Sequence, residues 1–282
     1  MRTKLISAPY TIWMTLFIIV PMGLVAFFAF TDKSGAFTLD NIARVGQYSN
    51  VFLHSIWLGA LATFISLLLG YPLAYIIAKA APNRQSFLIL LIMLPMWMNF
   101  LLRTYAWMSL LDDNGLINQF LSGIGFFRLI NTLFGTDLTC FHMINTQGAI
   151  VLGMVYNFLP FMIMPIFSVI DKIDPKVIEA AQDLGANSAM VFRKVIFPLS
   201  LPGVLSGVTM VFIPSVSTFA LSRLLGGGKT LLLGDLIEMQ FLGNAYNPHL
   251  GSAIALVMMV IVLVCMAVMN RFGEGEEGVA VL

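Results

Sequence analysis

Inside the apolar stretch that follows Arg84 stand Pro95, Trp97, Asn99, Arg103, Tyr105 and Trp107, with Asp112 and Asp113 just beyond it. An arginine in such a run costs enough in hydrocarbon to mark either a functional position or a side chain reaching for an interface. Indole and phenol faces attract organic cations, and carboxylates nearby add to that attraction. Trp97, Asn99, Arg103, Tyr105, Asp112 and Asp113 are therefore the candidate lining of a solute pathway. The competing reading is that Arg103, about 27 Å along a helix from Gln85, snorkels to the outer interface and that the aromatic rings are anchors. Adjacent residues on a helix point about 100° apart, so at most one of Asp112 and Asp113 can face such a pathway.

The other reactive side chains make no catalytic set. Cys140 and Cys265 are remote from each other and read as small apolar fillers, and His54, His142 and His249 are scattered as satisfied polar groups. Catalytic residues and metal ligands are therefore expected to be none, and no HExxH, GxSxG or paired intramembrane acid is present. Gly226-Gly227-Gly228-Lys229-Thr230 is similar to the end of a phosphate-cradling loop, but Arg223 stands where the first glycine is required. The glycines read as a turn. The chain is expected to bind no nucleotide or other cofactor of its own, so any ATP must be used by a partner subunit.

Elements that hold these residues must lie in lipid. Hydrophobic residues make up 59% of the 282 positions and charged ones only 10%, and mean hydropathy is +0.91, which excludes a soluble globular domain. A hydrocarbon core of about 30 Å needs about 20 apolar residues per helix. Stretches of suitable length occur at 5–31, 45–78, 85–102, 138–170, 195–222 and 241–270, giving an all-α integral membrane protein with six transmembrane helices. The first stretch is too long for a secretory signal core and lacks a small-x-small cleavage site, so it reads as retained. Placing both termini in the cytoplasm puts nine of the 15 Lys and Arg inside: Arg2, Lys4, Lys79, Arg84, Lys172, Lys176, Arg193, Lys194 and Arg271. The apolar stretches make membrane lipid the surroundings, and a net charge of +1 implies neither a nucleic-acid partner nor a polybasic lipid clamp.

The polar passage IDPKVIEAAQDLGANSAMVFRKVIFPLSLP interrupts this pattern. Asp174 and Pro175 suit the cap and first turn of a helix, and Val177, Ile178, Ala181 and Leu184 recur on one face. Gly185 supplies the left-handed residue that ends it, and Asn187 or Ser188 caps a second short helix. Pro198 and Pro202 are expected to separate that second helix from the next span.

Glu179-Ala180-Ala181, Gly185 and Pro198 stand at the spacing of the EAA loop in permease subunits of binding-protein-dependent ABC importers, which this chain resembles. The blocks LGYPLAYIIAK at 69–79, LPMWMNFLLRTYAW at 94–107 and GGGKTLLLGDLIEMQFL at 226–242 are similar to the spermidine/putrescine branch of that family. The resemblance implies a type I ABC importer permease fold forming the translocation pathway for a small solute, most plainly a polyamine, with an amino acid, ferric ion or sugar as alternatives. It assigns Glu179, Ala180, Ala181, Asp183, Gly185 and Pro198 to ATPase coupling. It also implies a second, related permease subunit in a heterodimer, two ATPase subunits and an extracytoplasmic solute-binding protein. The expected organisation is one permease domain over 1–282: first span and outer loop at 1–48, core at 49–270, cytoplasmic coupling loop at 171–199 and polar tail at 271–282. An ion-coupled secondary transporter fits less well, because the six stretches contain no Asp or Glu.

Overall fold

The computed structural model describes residues 9–243 and 245–274. Arg2, Lys4, the start of the expected first span and most of the polar tail lie outside the described residues. Helices are the regular elements among those described, with a single β-bridge between Thr31 and Phe37. In chain order they are α1 (Pro9–Ala29), α2 (Asp40–Val45), α3 (Ser49–Ala78), α4 (Pro82–Met93), α5 (Phe100–Leu111), α6 (Leu116–Gly123) and α7 (Phe126–Phe134). There follow α8 (Gln147–Ile170), α9 (Pro175–Asp183), α10 (Ser188–Ser217), α11 (Ala220–Leu225), α12 (Leu233–Leu242) and α13 (Pro248–Glu274).

Five of the six expected spans correspond to continuous or nearly continuous apolar helices: α1, α2 with α3, α8, α10 and α13. The third differs. In place of one helix over 85–102, the chain forms Pro82–Trp97 and Phe100–Gly123, which meet at 91°. Pro95 has no N–H to continue the α ladder, and Leu94–Trp97 tightens into a 3-10 turn. Met98 and Asn99 are then extended, and Asn99 Oδ1 accepts from Leu101 N at 2.8 Å, starting a new helix in a new direction. The fourth span begins later than expected, at Gln147, because Thr146 Oγ1 caps it by accepting from Ala149 N.

Pro198 and Pro202 do not end the second loop helix as expected, for α10 runs through both from Ser188 to Ser217. A π turn over Phe192–Ile196 lies just before Pro198, so the backbone there is already closed by a wider bond, from Phe197 N–H to Phe192 O. Such a turn absorbs an added residue without breaking the helix, and the ladder accommodates a proline that cannot donate.

Packing centres on α8, which lies against both α3 and α10. Fit between apolar helices in lipid is set by small residues that let backbones approach. Gly203 and Gly207 of α10 form a Gly-x-x-x-Gly pair facing α8. A Cβ at Gly203 would come 2.8 Å from Pro165 O and 3.1 Å from Ile166 Cα, and one at Gly207 would come 2.8 Å from Met162 Sδ. Gly70 of α3 meets Met162 from the other side, at 2.9 Å from its Cγ. Met162, Ile163 and Ile166 are correspondingly sealed in. The α1 helix lies outside this core and packs on α13, where His249 Nδ1 is 3.2 Å from Phe28 O and the two rings meet edge to face.

Gly203→Val forces a backbone-to-backbone contact apart, and overpacking of this kind costs about 1–3 kcal/mol. The thermal midpoint of the variant in detergent should fall well below that of the parent, whereas Gly23→Ala, at a position with open space around it, should leave it unchanged.

Candidate functional site

The loop between α8 and α10 is held from both ends. Asp174 Oδ1 accepts from Lys176 N at 3.0 Å, fixing the first turn of α9. At the other end Gly185 has φ of 85°, and its N–H together with that of Ala186 closes on Gln182 O and Ala181 O at 2.8 and 3.0 Å. Asn187 Oδ1 then accepts from Met190 N at 2.8 Å and starts α10. Ile178, Ala181 and Ala186 turn inward against a core that contains Val191 and Ile196. The expected single apolar face is in fact divided, for Val177 and Leu184 turn outward and Leu184 is 90% exposed. Glu179, Ala180 and Asp183 are exposed alongside them, Gly185 is exposed at the turn, and Pro198 is half-buried within α10. The result is a short rigid helix whose outward side carries both apolar groups and two carboxylates, a surface shaped for a partner protein.

Behind the loop, Phe192 sits edge to face on Tyr71 and Tyr75 of α3, with centroids 5.8 and 5.4 Å away. Tyr71 Oη and Ser200 Oγ are 2.8 Å apart in the interior. Gln85 Nε2 donates to Asp171 Oδ1 at 2.6 Å, tying α4 to the start of the loop. The loop is thereby keyed to α3 and α4 as well as to its own flanking helices.

The aromatic and charged residues near α5 do not gather into one site. Trp97 is 77% exposed on the 3-10 turn, Asn99 is spent as a helix cap, and Tyr105 is exposed. Arg103 does not reach for the interface. It is buried, its guanidinium lies 5.9 Å from the Tyr156 ring of α8, and its Nε and Nη1 have no hydrogen-bond partner in the structure. Asp112 lies at the opposite end of α5 from Asn99, about 20 Å away along the helix, and its carboxylate accepts from Asn114 N at 3.0 Å. Asp113 is 2.9 Å from His142 Nδ1. Trp107 packs on Tyr156 with centroids 5.3 Å apart, and both border an apolar cavity of about 710 Å³ between α3, α5 and α8 that Trp57, Leu61 and Val155 also line.

Sequence reasoning missed a buried polar knot between α11 and α12. Asp235 Oδ2 accepts from Leu232 N at 3.1 Å and from the Ser222 hydroxyl, while Leu233 N donates to Ser55 Oγ of α3 at 2.9 Å. Arg223 and Glu238 pair beside it at 2.7 Å. Burial pushes the Asp235 carboxyl above its ordinary range, and the bonds from Ser222 and Leu232 pull it back. The only trace in the sequence is an acid three residues into a helix, where it can accept from a free N–H. The glycine turn leading into this knot is a fitted element: Gly227 and Gly228 have φ of 60° and 69°, and Asn145 N donates to Leu225 O at 2.8 Å next to it.

Residues 70–274 match the family described as "Binding-protein-dependent transport system inner membrane component". The chain belongs to this family. It is 35% identical over 257 residues to the spermidine/putrescine transport system permease protein PotB of Escherichia coli K12, covering 88% of this chain and 90% of that one. It is 34% identical to PotB of Haemophilus influenzae, over 92% of this chain and 90% of that one. In fold it is similar to a chain of a bacterial ABC transporter involved in alginate import, with a TM-score of 0.76 at 19% identity and coverage of 98% and 96%. The protein is thus a multi-pass, all-α membrane permease of the type I ABC importer fold, a transport subunit.

Proposed function

We propose that this permease carries a polyamine, spermidine or putrescine, across the cell membrane, working beside a second and related permease chain. The observation that carries the reading is the identity of about one residue in three to spermidine/putrescine permeases along nearly the whole chain. ATP is hydrolysed by a pair of partner ATPase subunits, and solute is delivered by an extracytoplasmic binding protein. This chain contributes no cofactor. The 171–199 loop faces the cytoplasm, as do both termini, in keeping with the excess of Lys and Arg on that side.

In this reading α9 seats in a groove of the ATPase, Val177 and Leu184 fill apolar space there, and Glu179 and Asp183 set the charge register. Ala180 keeps the outward side slim enough to enter, Ala181 lets the helix lie close on its own core, and Gly185 allows the sharp exit. Closure of the ATPase pair shifts the pathway only if the loop binds the two motor states with different affinity. Phe192, packed on Tyr71 and Tyr75, passes the displacement to α3, and α10 passes it to α8. The pathway then opens alternately to the two sides by movement of packed helices. Trp97 on the 3-10 turn, Tyr105 on α5 and Asp112 at its end offer cation-attracting groups, with Asn99 and Arg103 setting α5 and Asp113 just beyond it.

The reading is tested with labelled spermidine in cells that express the whole importer. Gly185→Asp introduces a side chain at a left-handed backbone position and adds charge at the docking surface. The variant should reach the membrane at parental level yet lose uptake and copurify poorly with the ATPase; uptake like that of the parent would refute the coupling role. Orientation is checked separately in a background lacking Cys140 and Cys265. Lys33→Cys should react with an impermeant thiol reagent in intact cells and Lys176→Cys should not, whereas the reverse pattern would invert the topology.

A further inference from the structure

Asp113 is distant in sequence from the neighbouring pair Cys140 and His142, yet one ligand-capable atom from each of the three lies within 4.8 Å of the others. The approach follows from how the backbone is held. In the connection between α7 and α8 the backbone turns tightly at His142, where Phe141 O accepts from Met143 N at 2.9 Å. The Phe141 ring packs on Phe127 and Phe126 at 5.3 and 6.1 Å. Its backbone is gripped by the buried Asn118 of α6, whose Oδ1 accepts from Phe141 N at 2.9 Å and whose Nδ2 donates to Phe141 O at 3.0 Å. The same Nδ2 donates to Asp112 O at 3.1 Å. One buried amide therefore sets the register between the residue before Asp113 and the residue between Cys140 and His142.

We propose that Asp113, Cys140 and His142 form a site for a divalent metal ion of borderline softness, zinc(II) foremost, which staples the α7–α8 connection to the end of α5. Carboxylate oxygen, thiolate sulfur and imidazole nitrogen are all zinc ligands, at about 2.0–2.3 Å. Two such ligands around a tetrahedral ion are about 3.3–3.6 Å apart on those bond lengths. The sulfur, within 4.8 Å of the other two atoms, closes in by at most about 1.5 Å to reach that spacing, while His142 Nδ1 and Asp113 Oδ1, now 2.9 Å apart, open by a few tenths of an ångström. The ion takes the place of the proton shared between imidazole and carboxylate, and the Cys140 thiol releases its own proton to solvent, so affinity rises with pH. His142 is exposed, which leaves the fourth position to water and makes the ion exchangeable. A surface His–Asp pair alone contributes little to stability, and it makes no use of a cysteine held beside it. The grip of Asn118 on the backbone carrying the ligands is the kind of outer support that metal sites depend on.

The test uses the full-length chain with Cys265→Ala, purified with its partner subunits, stripped with chelator and titrated with Zn²⁺ alone or Co²⁺ alone. The parent should retain one metal ion per chain after desalting, and its cobalt form should show a thiolate-to-metal charge-transfer band that Cys140→Ser abolishes. Zn²⁺ should slow the reaction of Cys140 with a maleimide by about tenfold or more, since a metal-bound thiolate is not free to attack. The same addition should give no protection in His142→Ala. Absence of metal from the parent, retention of as much metal by the Cys140→Ser, His142→Ala double variant as by the parent, or equal maleimide rates with and without Zn²⁺ in the parent would each overturn the proposal.

Discussion

Lipid gives two apolar helices no hydrophobic reason to prefer each other over acyl chains, so the association of α3, α8 and α10 depends on how closely their backbones can approach. The Gly203–Gly207 pair on α10 and Gly70 on α3 supply that approach, with Met162 and Ile166 of α8 caught between them. Other features are hung on this triple contact. The 171–199 loop leaves from α8 and enters α10, so its two ends are fixed by the same packing that seals the core. The polar knot at Asp235 and Ser222 ties the α10–α13 connection back to α3 through Ser55. A small displacement of the loop has few soft places in which to dissipate, which is what a mechanical linkage requires.

Prolines and the π turn add compliance at chosen points. Pro160 and Pro165 in α8 and Pro202 and Pro214 in α10 each remove a ladder bond from helices that meet at the core. The π turn at Phe192–Ile196 lies where the loop joins α10 and places Phe192 against the two tyrosines of α3. Rigid contact and local give therefore alternate along the route from the loop to the membrane core.

Much of this was legible in the sequence because it rests on local chemistry. Span number follows from lengths of apolar chain, and the caps at Asp174, Gly185 and Asn187 follow from side chains that bond their own backbone neighbours. The break at Met98 and Asn99 was hidden because its residues are individually compatible with an apolar helix; the 3-10 turn at Pro95 and the cap at Asn99 act together. The continuity of α10 through Pro198 was hidden for the opposite reason, since the compensating π turn has no residue signature of its own. The bond from Leu233 to Ser55, the grip of Asn118 on Phe141 and the approach of Asp113 to Cys140 and His142 join separate elements of the chain, so spacing alone could not reveal them. Of the two readings of Arg103, the interface anchor does not fit its place over Tyr156 inside the protein, a contact with a residue more than 50 positions away that spacing could not announce.

The central claim is that this chain couples a partner's ATP hydrolysis to the passage of a polyamine. It is tested most directly by ATP turnover of the complete importer in proteoliposomes, measured with the binding protein empty and then loaded with spermidine. The account predicts that turnover rises when the loaded binding protein is added outside. Turnover that ignores spermidine and putrescine, but rises with a binding protein loaded with an amino acid, a sugar or ferric ion, would contradict it.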